Sequence, residues 1–302
     1  MAEERRRPLP GEGSDRLGTN FDVGLPAGEP EESISYTVSA GLLSQYVTEL
    51  TQVALRERLD LETGQMQARN VVAPYQGLHY LRGFWPFTSL DENQDVIDLS
   101  GQGRKLTKNG SPSYGYAGVS GYGPSVNLNV SNTSRYFSRA DETGLNYNGF
   151  NNWTMLAWVL PIMASSTGRA PIMAKGDGNT GDEYGVHISR SNMRVHVKAG
   201  ADTYDAPSSR ALTDSAWNFV AAGFHVGLNQ YQVFVNGGYT TASGGSPSPT
   251  ATTDPFYLGR YDNGASSEYW SGSLALVALV GTLVAERQLR NVYEATRRLF
   301  GV

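Results

Sequence analysis

From Gly77 onward the apolar residues recur with a period of two, interrupted by turn-forming residues every ten or so positions, the spacing of short strands in a sandwich or barrel. Tyr184-Gly-Val-His-Ile, Met193-Arg-Val-His-Val and Tyr231-Gln-Val-Phe-Val alternate or nearly alternate, with Gly, Asn, Ser and Asp clusters between them. Successive side chains of a strand point to opposite faces, so this pattern calls for sheets with an apolar side rather than helices. Val235-Asn236-Gly237-Gly238 is the clearest hairpin turn, because Asn-Gly takes the positive φ of a type I′ turn. The 35 Gly, the 11% aromatic content and the low 18% charge point the same way. The expectation is a mainly β, two-sheet sandwich.

Upstream the pattern differs. Residues 1–38 interleave Pro8, Pro10, Pro26 and Pro30 with Gly11, Gly13, Gly18, Gly24 and Gly28, which suits neither helix nor sheet. They read as a polar, extended arm that is disordered in an isolated chain or ordered against a partner. Residues 39–72 form a helix and linker. Leu43, Val47, Leu50 and Ala54 make an a/d-like stripe with Leu61 a heptad further on, and Gly64 is placed to end the helix. A stripe this short either packs on its own globular domain or self-associates into a bundle or larger assembly. Residues 73–302 hold the sandwich. Within them Thr240–Thr253 reads as a loop, and Ala285–Leu299 as a helix with Leu289, Val292, Tyr293, Thr296 and Leu299 on one face. Leu274–Val280 is nearly all apolar, as expected of a strand covered on both sides, by the sandwich interior and by the terminal helix.

Composition removes several classes of function. There is no Cys, hence no disulfide framework, thiolate metal site or Cys nucleophile. A net charge of -5 disfavours nucleic acid as a partner, since phosphate binding needs a clustered positive field. No run reaches the roughly 18 apolar residues of a membrane span. The Met1–Arg7 start has no apolar run behind it, so no secretory leader is expected.

The β region resembles the concanavalin A-like, laminin-G-type jelly roll over about Leu78 to Phe300. Leu78-His-Tyr-Leu-Arg-Gly-Phe-Trp-Pro-Phe matches the opening strand, and Asp98-Leu-Ser100-Gly101-Gln-Gly103 the acidic turn after it. Trp153-Thr-Met-Leu-Ala-Trp158-Val-Leu-Pro161, Ile172-Met-Ala-Lys175-Gly176-Asp177 with Tyr184-Gly-Val, and Trp217-Asn-Phe-Val-Ala with Val233-Phe-Val-Asn236-Gly237 match the middle strands. Phe256-Tyr-Leu-Gly259-Arg260 and Trp270-Ser-Gly272-Ser-Leu match the closing ones. The resemblance implies a fold and not an activity. Trp158 and Trp217 are expected in the core.

Glycan-cutting members of this fold carry a Glu-x-Asp-x-x-Glu strand motif, which sets catalytic carboxylates on one face. The motif is absent here, and the adjacent Asp182 and Glu183 would point to opposite faces of a strand. No Gly-x-Ser-x-Gly elbow, His-Glu-x-x-His or phosphate loop occurs either, so no catalysis is expected. Lectin-like members often bind calcium. Asp98, with Asp95 nearby, and the loop of Asp177, Asp182 and Glu183 are the candidate ligands, against the alternative that Asp98 caps its own turn. The family's acidic pair after the closing Gly is replaced here by Ser273-Leu274-Ala275-Leu276. No other cofactor is implied. If Ser191-Asn192 is a hairpin tip, His187 lies opposite His196 on a polar face with Ser189 and Arg194, a bare cross-strand pair or a metal or pH-responsive site.

Ligand recognition falls to exposed aromatics. Tyr114, Tyr116 and Tyr122 lie in a Gly-Ser-Tyr-rich loop, and Tyr257, Tyr261, Tyr269 and Trp270 flank Asp262-Asn263-Gly264. These rings suit either sugar stacking or a subunit interface. Asn129, Asn132 and Asn152 fit the glycosylation pattern by chance. Arm, associating helix and jelly roll together resemble virion proteins of tailed bacteriophages. That resemblance implies a non-enzymatic structural protein located in the virion, at tail, baseplate, fibre or capsid. Its implied partners are other virion proteins, further copies of itself (as a trimer) and a host-surface glycan, with neither nucleic acid nor membrane. The alternatives are a free-standing soluble carbohydrate-binding lectin and a glycan hydrolase with an unfamiliar site.

Overall fold

The computed structural model describes residues 74–75, 77–114, 125–128, 135–146, 152–163, 168–176, 183–200, 210–243, 251–262 and 267–302. All belong to the second of two compact units, Gln67–Val302, the first being Met1–Met66. The arm and the a/d-like helix expected upstream lie outside the described residues.

Among these residues sixteen strands follow one another. The first are β1 (Leu81–Trp85), β2 (Thr107–Asn109), β3 (Ser113–Tyr114), β4 (Val126–Asn127) and β5 (Tyr136–Arg139). Next come β6 (Trp153–Pro161), β7 (Arg169–Lys175), β8 (Tyr184–Ser189), β9 (Arg194–Ala199), β10 (Asn218–His225) and β11 (Gln230–Val235). The last are β12 (Gly238–Ser243), β13 (Phe256–Leu258), β14 (Arg260–Asp262), β15 (Ser267–Tyr269) and β16 (Gly272–Val280). Helix α1 (Glu286–Thr296) continues into a 3-10 turn, Arg297–Phe300.

An eight-stranded sheet in the order β12-β11-β10-β6-β16-β4-β3, with β1 also on β16, faces a six-stranded sheet in the order β2-β5-β13-β7-β8-β9. The mainly β, two-sheet sandwich with a C-terminal helix is therefore present as expected. Alternation explains the interior. Trp153, Met155 and Phe224 from one sheet, and Ile172, Val186, Ile188, Val195 and Val197 from the other, are buried in one cluster.

The larger sheet is covered on its other face too. The α1 residues Leu289, Val292, Tyr293 and Thr296 are buried, and the first three join Phe84, Trp158, Trp217, Phe219, Phe234 and Phe300 in a second apolar layer. Trp158 and Trp217 are thus core residues, but of this outer layer. All of β16 is buried, as its apolar run implied. Its alternation, however, is broken by a bulge between Ala275 and Ala278, where Leu276 sits at φ 48°. Leu274, Val277 and Leu279 enter the interior, while both Ala275 and Leu276 turn to the helix side. A bulge inserts one unpaired residue and resets which face the next side chains occupy.

Asn236 and Gly237, at φ 46° and 88°, form the two-residue turn between Val235 and its partner Gly238. The expected loop over Thr240–Thr253 starts later than its composition implied, because Gly238–Ser243 completes this hairpin as an edge strand. Thr240 pairs with Val233 and Thr241 with Gln232, and β-branched Thr suits such a half-exposed edge.

Candidate functional site

The outer face of the six-stranded sheet carries the polar and aromatic chemistry. Phe137, Phe256 and Leu258 take the interior, so their neighbours Tyr136, Ser138 and Tyr257 must point outward. Register places Tyr257 beside Ser138, Ser138 beside Thr107, and Tyr136 beside Asn109, so β2, β5 and β13 contribute to one patch. Asn109 Nδ2 donates to Ser138 Oγ at 2.9 Å across it. The β14–β15 ribbon adds Arg260 and Tyr269.

Arg260 organises this patch. Its guanidinium carbon lies 4.8 Å from the centre of the Tyr136 ring and 5.1 Å from that of Tyr257. Nη1 donates to the Tyr136 hydroxyl at 3.0 Å and Nη2 to Ser267 Oγ at 3.2 Å. Tyr136 meets Tyr257 edge-on at 5.8 Å and tilts toward Tyr269 at 6.2 Å. A planar cation beside two rings is held by the ring quadrupoles and by the hydrogen bonds of its fork. Asn109, Tyr136, Ser138, Arg260 and Tyr269 remain half-buried, and Thr107 is exposed. Aromatic edges beside an amide, hydroxyls and a guanidinium form a donor-rich surface with apolar faces, complementary to a saccharide ring.

Further along the same face lies the hairpin pair. His187 stands opposite His196, and Ile188 opposite Val195, as the Ser191-Asn192 tip required. The imidazoles stack at 5.2 Å and 15°. Both are buried, so the face shared with Ser189 and Arg194 is covered here rather than solvated. Tyr261 is buried as well, with Lys198 Nζ bonded to its hydroxyl and Arg169 5.4 Å from its ring centre. Burial, then the charges of His196 and Arg169, push His187 down to about 3.

The sequence-selected aromatics divide accordingly. Tyr257, Tyr261 and Tyr269 all lie on the outer face, although Tyr257 and Tyr261 are buried by their cationic neighbours. Trp270, chosen as an exposed ring, is 1% exposed in the inter-sheet core and presents no stacking surface. Gly259, at φ 80°, separates β13 from the ribbon and shifts the faces that follow it. Tyr114 lies apart, half-buried, donating to Gln94 O at 2.6 Å with its ring 6.2 Å from Phe137. Its phenol is pushed up by burial and by Asp95 and Asp91. Tyr116 and Tyr122 lie outside the described residues.

Of the calcium candidates, Asp98 and Glu183 lie among the described residues. Asp98 Oδ1 accepts from the backbone N–H of Phe84 at 2.9 Å and Ser100 at 2.8 Å. Its Oδ2 accepts from Ser100 Oγ at 2.8 Å and Arg104 N at 2.9 Å. A carboxylate so engaged caps its own turn and has no oxygen left for a hard cation. Glu183 is wholly buried beside Lys175. Asp177 and Asp182 lie outside the described residues, and among the described ones no three His, Cys, Asp or Glu side chains converge. Asp98 and Glu183, the two candidates among the described residues, are thus engaged within the protein. Sequence reasoning missed Tyr136 and Arg260, whose partnership spans 124 positions in the chain.

Residues 131–289, more than half of the chain, match the model of the Laminin_G_3 family of the concanavalin A-like lectin/glucanases superfamily. No curated protein sequence matches the chain. Among solved structures, the binding domain of Paraclostridial Mosquitocidal Protein 1 is similar at TM-score 0.55 and 14% identity, over 71% of this chain and 52% of that one. The binding domain of botulinum neurotoxin serotype D follows at 0.52 and 11%, over 71% and 51%. This chain thus spans about half the length of those two domains. Domain 4 of AbnA, a GH43 extracellular arabinanase from Geobacillus stearothermophilus solved with arabinotriose, is similar at 0.52 and 16%, over 70% of this chain and 97% of that domain. With the family model laid over the two-sheet body and its closing strands, the chain belongs to the concanavalin A-like lectin/glucanases superfamily, and its described part is a lectin-like β-sandwich.

Proposed function

We propose that this chain is a non-enzymatic structural protein of a tailed-bacteriophage particle, displaying a lectin-like sandwich toward a host-surface glycan. The observation that carries the binding half is the half-buried patch of Asn109, Tyr136, Ser138, Arg260 and Tyr269 on the outer sheet face. The similar AbnA domain, solved with arabinotriose, supports saccharide binding by analogy. Residues 1–72 anchor the chain, at tail or baseplate in preference to capsid, and the stripe from Leu43 to Leu61 associates copies as a trimer. This half rests on the order of polar arm, apolar stripe and sandwich along the sequence. The sealed position of Glu183 favours binding over hydrolysis, because a carboxylate with no exposure cannot reach a polysaccharide.

A glycan array with purified protein tests the binding half. Binding that survives chelator and is lost in Tyr136→Ala supports it, and an array without signal overturns it. Removing residues 1–72 should leave the sandwich folded and abolish incorporation into particles. Unimpaired incorporation would instead favour a free-standing lectin. Native mass measurement of the full chain reads the trimer directly, and polysaccharide turnover lost on mutating Asp182 or Glu183 would replace the reading with a hydrolase.

A further inference from the structure

Lys175 ends β7 with its side chain turned into the sandwich, wholly buried. Register sets it between Tyr184 of β8 and Phe256 of β13, both buried. Its Nζ lies 2.7 Å from Asp141 Oδ1, 2.8 Å from Asp254 O, 3.5 Å from Thr252 O and 3.9 Å from Glu183 Oε1. The amine thus touches one carboxylate directly, with a second, fully buried carboxylate beside it. Asp141 follows β5, so amine and carboxylate come from strands on either side of β13.

We propose that Lys175 and Asp141 join in an intramolecular isopeptide bond, with Glu183 relaying the protons. The Nζ–Cγ bond forms as the Cγ–O bond of Asp141 breaks. Two of the three ammonium protons pass by way of Glu183 to the departing oxygen, which leaves as water. The ammonium and the carboxylate disappear together, the product is a neutral secondary amide, and neither oxidant nor activating group is consumed. Three features of the site drive this condensation. Fixed contact between amine and carboxylate replaces a bimolecular encounter, an advantage that reaches effective molarities of about 10⁵–10⁸ M in well-oriented systems. Glu183, 3.9 Å from the nitrogen and so one short approach or one bridging water from hydrogen-bond distance, is the carboxylate placed to act as general base and acid. Exchanging the wholly buried ammonium for a neutral amide also relieves the desolvation which that charge suffers, although Asp141 itself keeps a quarter of its side chain exposed. The bond would staple β5 to β7 across β13, a covalent tie over 34 positions of chain in a protein without Cys.

Intact-mass spectrometry of the full chain under denaturing conditions is the test. The wild-type protein should be lighter than its sequence by one water, and digestion should give a branched peptide joining the Asp141 and Lys175 segments. In Asp141→Asn the leaving group becomes ammonia, so its crosslinked product should have the same mass as the wild-type product. Glu183→Gln should lower the crosslinked fraction at least tenfold. A wild-type chain at its full sequence mass would overturn the proposal. So would a water loss that persists in Lys175→Arg, which would place the dehydration elsewhere, as in cyclisation at Asp177-Gly178. The decisive reading comes from the wild-type chain, so no variant needs to fold for the proposal to fail.

Discussion

Trp158 donates its indole N–H to the hydroxyl of Thr296 at 3.0 Å, tying the centre of the larger sheet to the last turn of α1. The same hydroxyl donates to Val292 O at 2.7 Å, so both of its roles are filled inside the layer. The Phe300 ring stacks on Trp158 at 4.1 Å and 12°. The helix is therefore fixed by one directed bond as well as by apolar area.

Thr296→Val keeps shape and volume but leaves the buried indole N–H without its acceptor. An orphaned buried donor costs about 1–3 kcal/mol. Urea unfolding should show that loss in the midpoint with an unchanged slope. Trp158→Phe in the same background should cost less than it does in wild type, because the donor is then already unpaired.

Asp98→Ala should destabilise the sandwich more, by about 3 kcal/mol or above, since one carboxylate holds three backbone N–H groups from two separate segments. Asp98→Asn should recover part of this. Because the Asp98 oxygens are committed to those donors, the response of the melting temperature to calcium and chelator should be the same in Asp98→Asn as in the wild-type protein. A calcium-dependent rise that is lost in Asp98→Asn would show that this carboxylate holds a cation after all.

The strands were legible because period-two alternation depends on neighbouring residues, and the Asn236-Gly237 turn because its backbone demands those residue types. The opposition of His187 and His196 followed from counting outward from the Ser191-Asn192 tip of the β8–β9 hairpin. What covers a face was not legible. Trp270 turns into the inter-sheet core and His187 is buried against His196 on the outer face, and neither outcome can be read from the residues beside them in the chain. The bulge at Leu276 and the inward turn of Lys175 escaped for the same reason, since a polar or apolar side chain at one position does not announce a shift in register. Arg260 read as part of a strand motif, and only the fold reveals that it packs beside two tyrosine rings.

His187 makes stability depend on pH. Its folded value is depressed to about 3, from 6.5, chiefly by burial and then by His196 and Arg169. Between those limits the unfolded chain binds the proton and the folded one does not, so stability is full above 6.5 and falls as the pH drops. The slope is at most about 1.4 kcal/mol per pH unit. Denaturation midpoints measured from pH 7 down to 4 should fall, and His187→Gln should flatten that decline while leaving the carboxylate contribution at the acid end.

Arg260→Lys separates recognition from packing on the outer face. Lysine keeps the charge but lacks the plane that lies against Tyr136 and Tyr257 and the fork that reaches the Tyr136 hydroxyl and Ser267. The cluster is half-buried, so the loss of stability should stay within about 1–2 kcal/mol, the scale of a partly desolvated cation–π contact. Freed from its clamp, Tyr136 should no longer hold one orientation. If the patch grips a sugar through that ring, glycan affinity should fall by about tenfold or more, beyond what the stability change accounts for. An unaltered array signal in a folded Arg260→Lys protein would move the binding surface to another part of the sandwich.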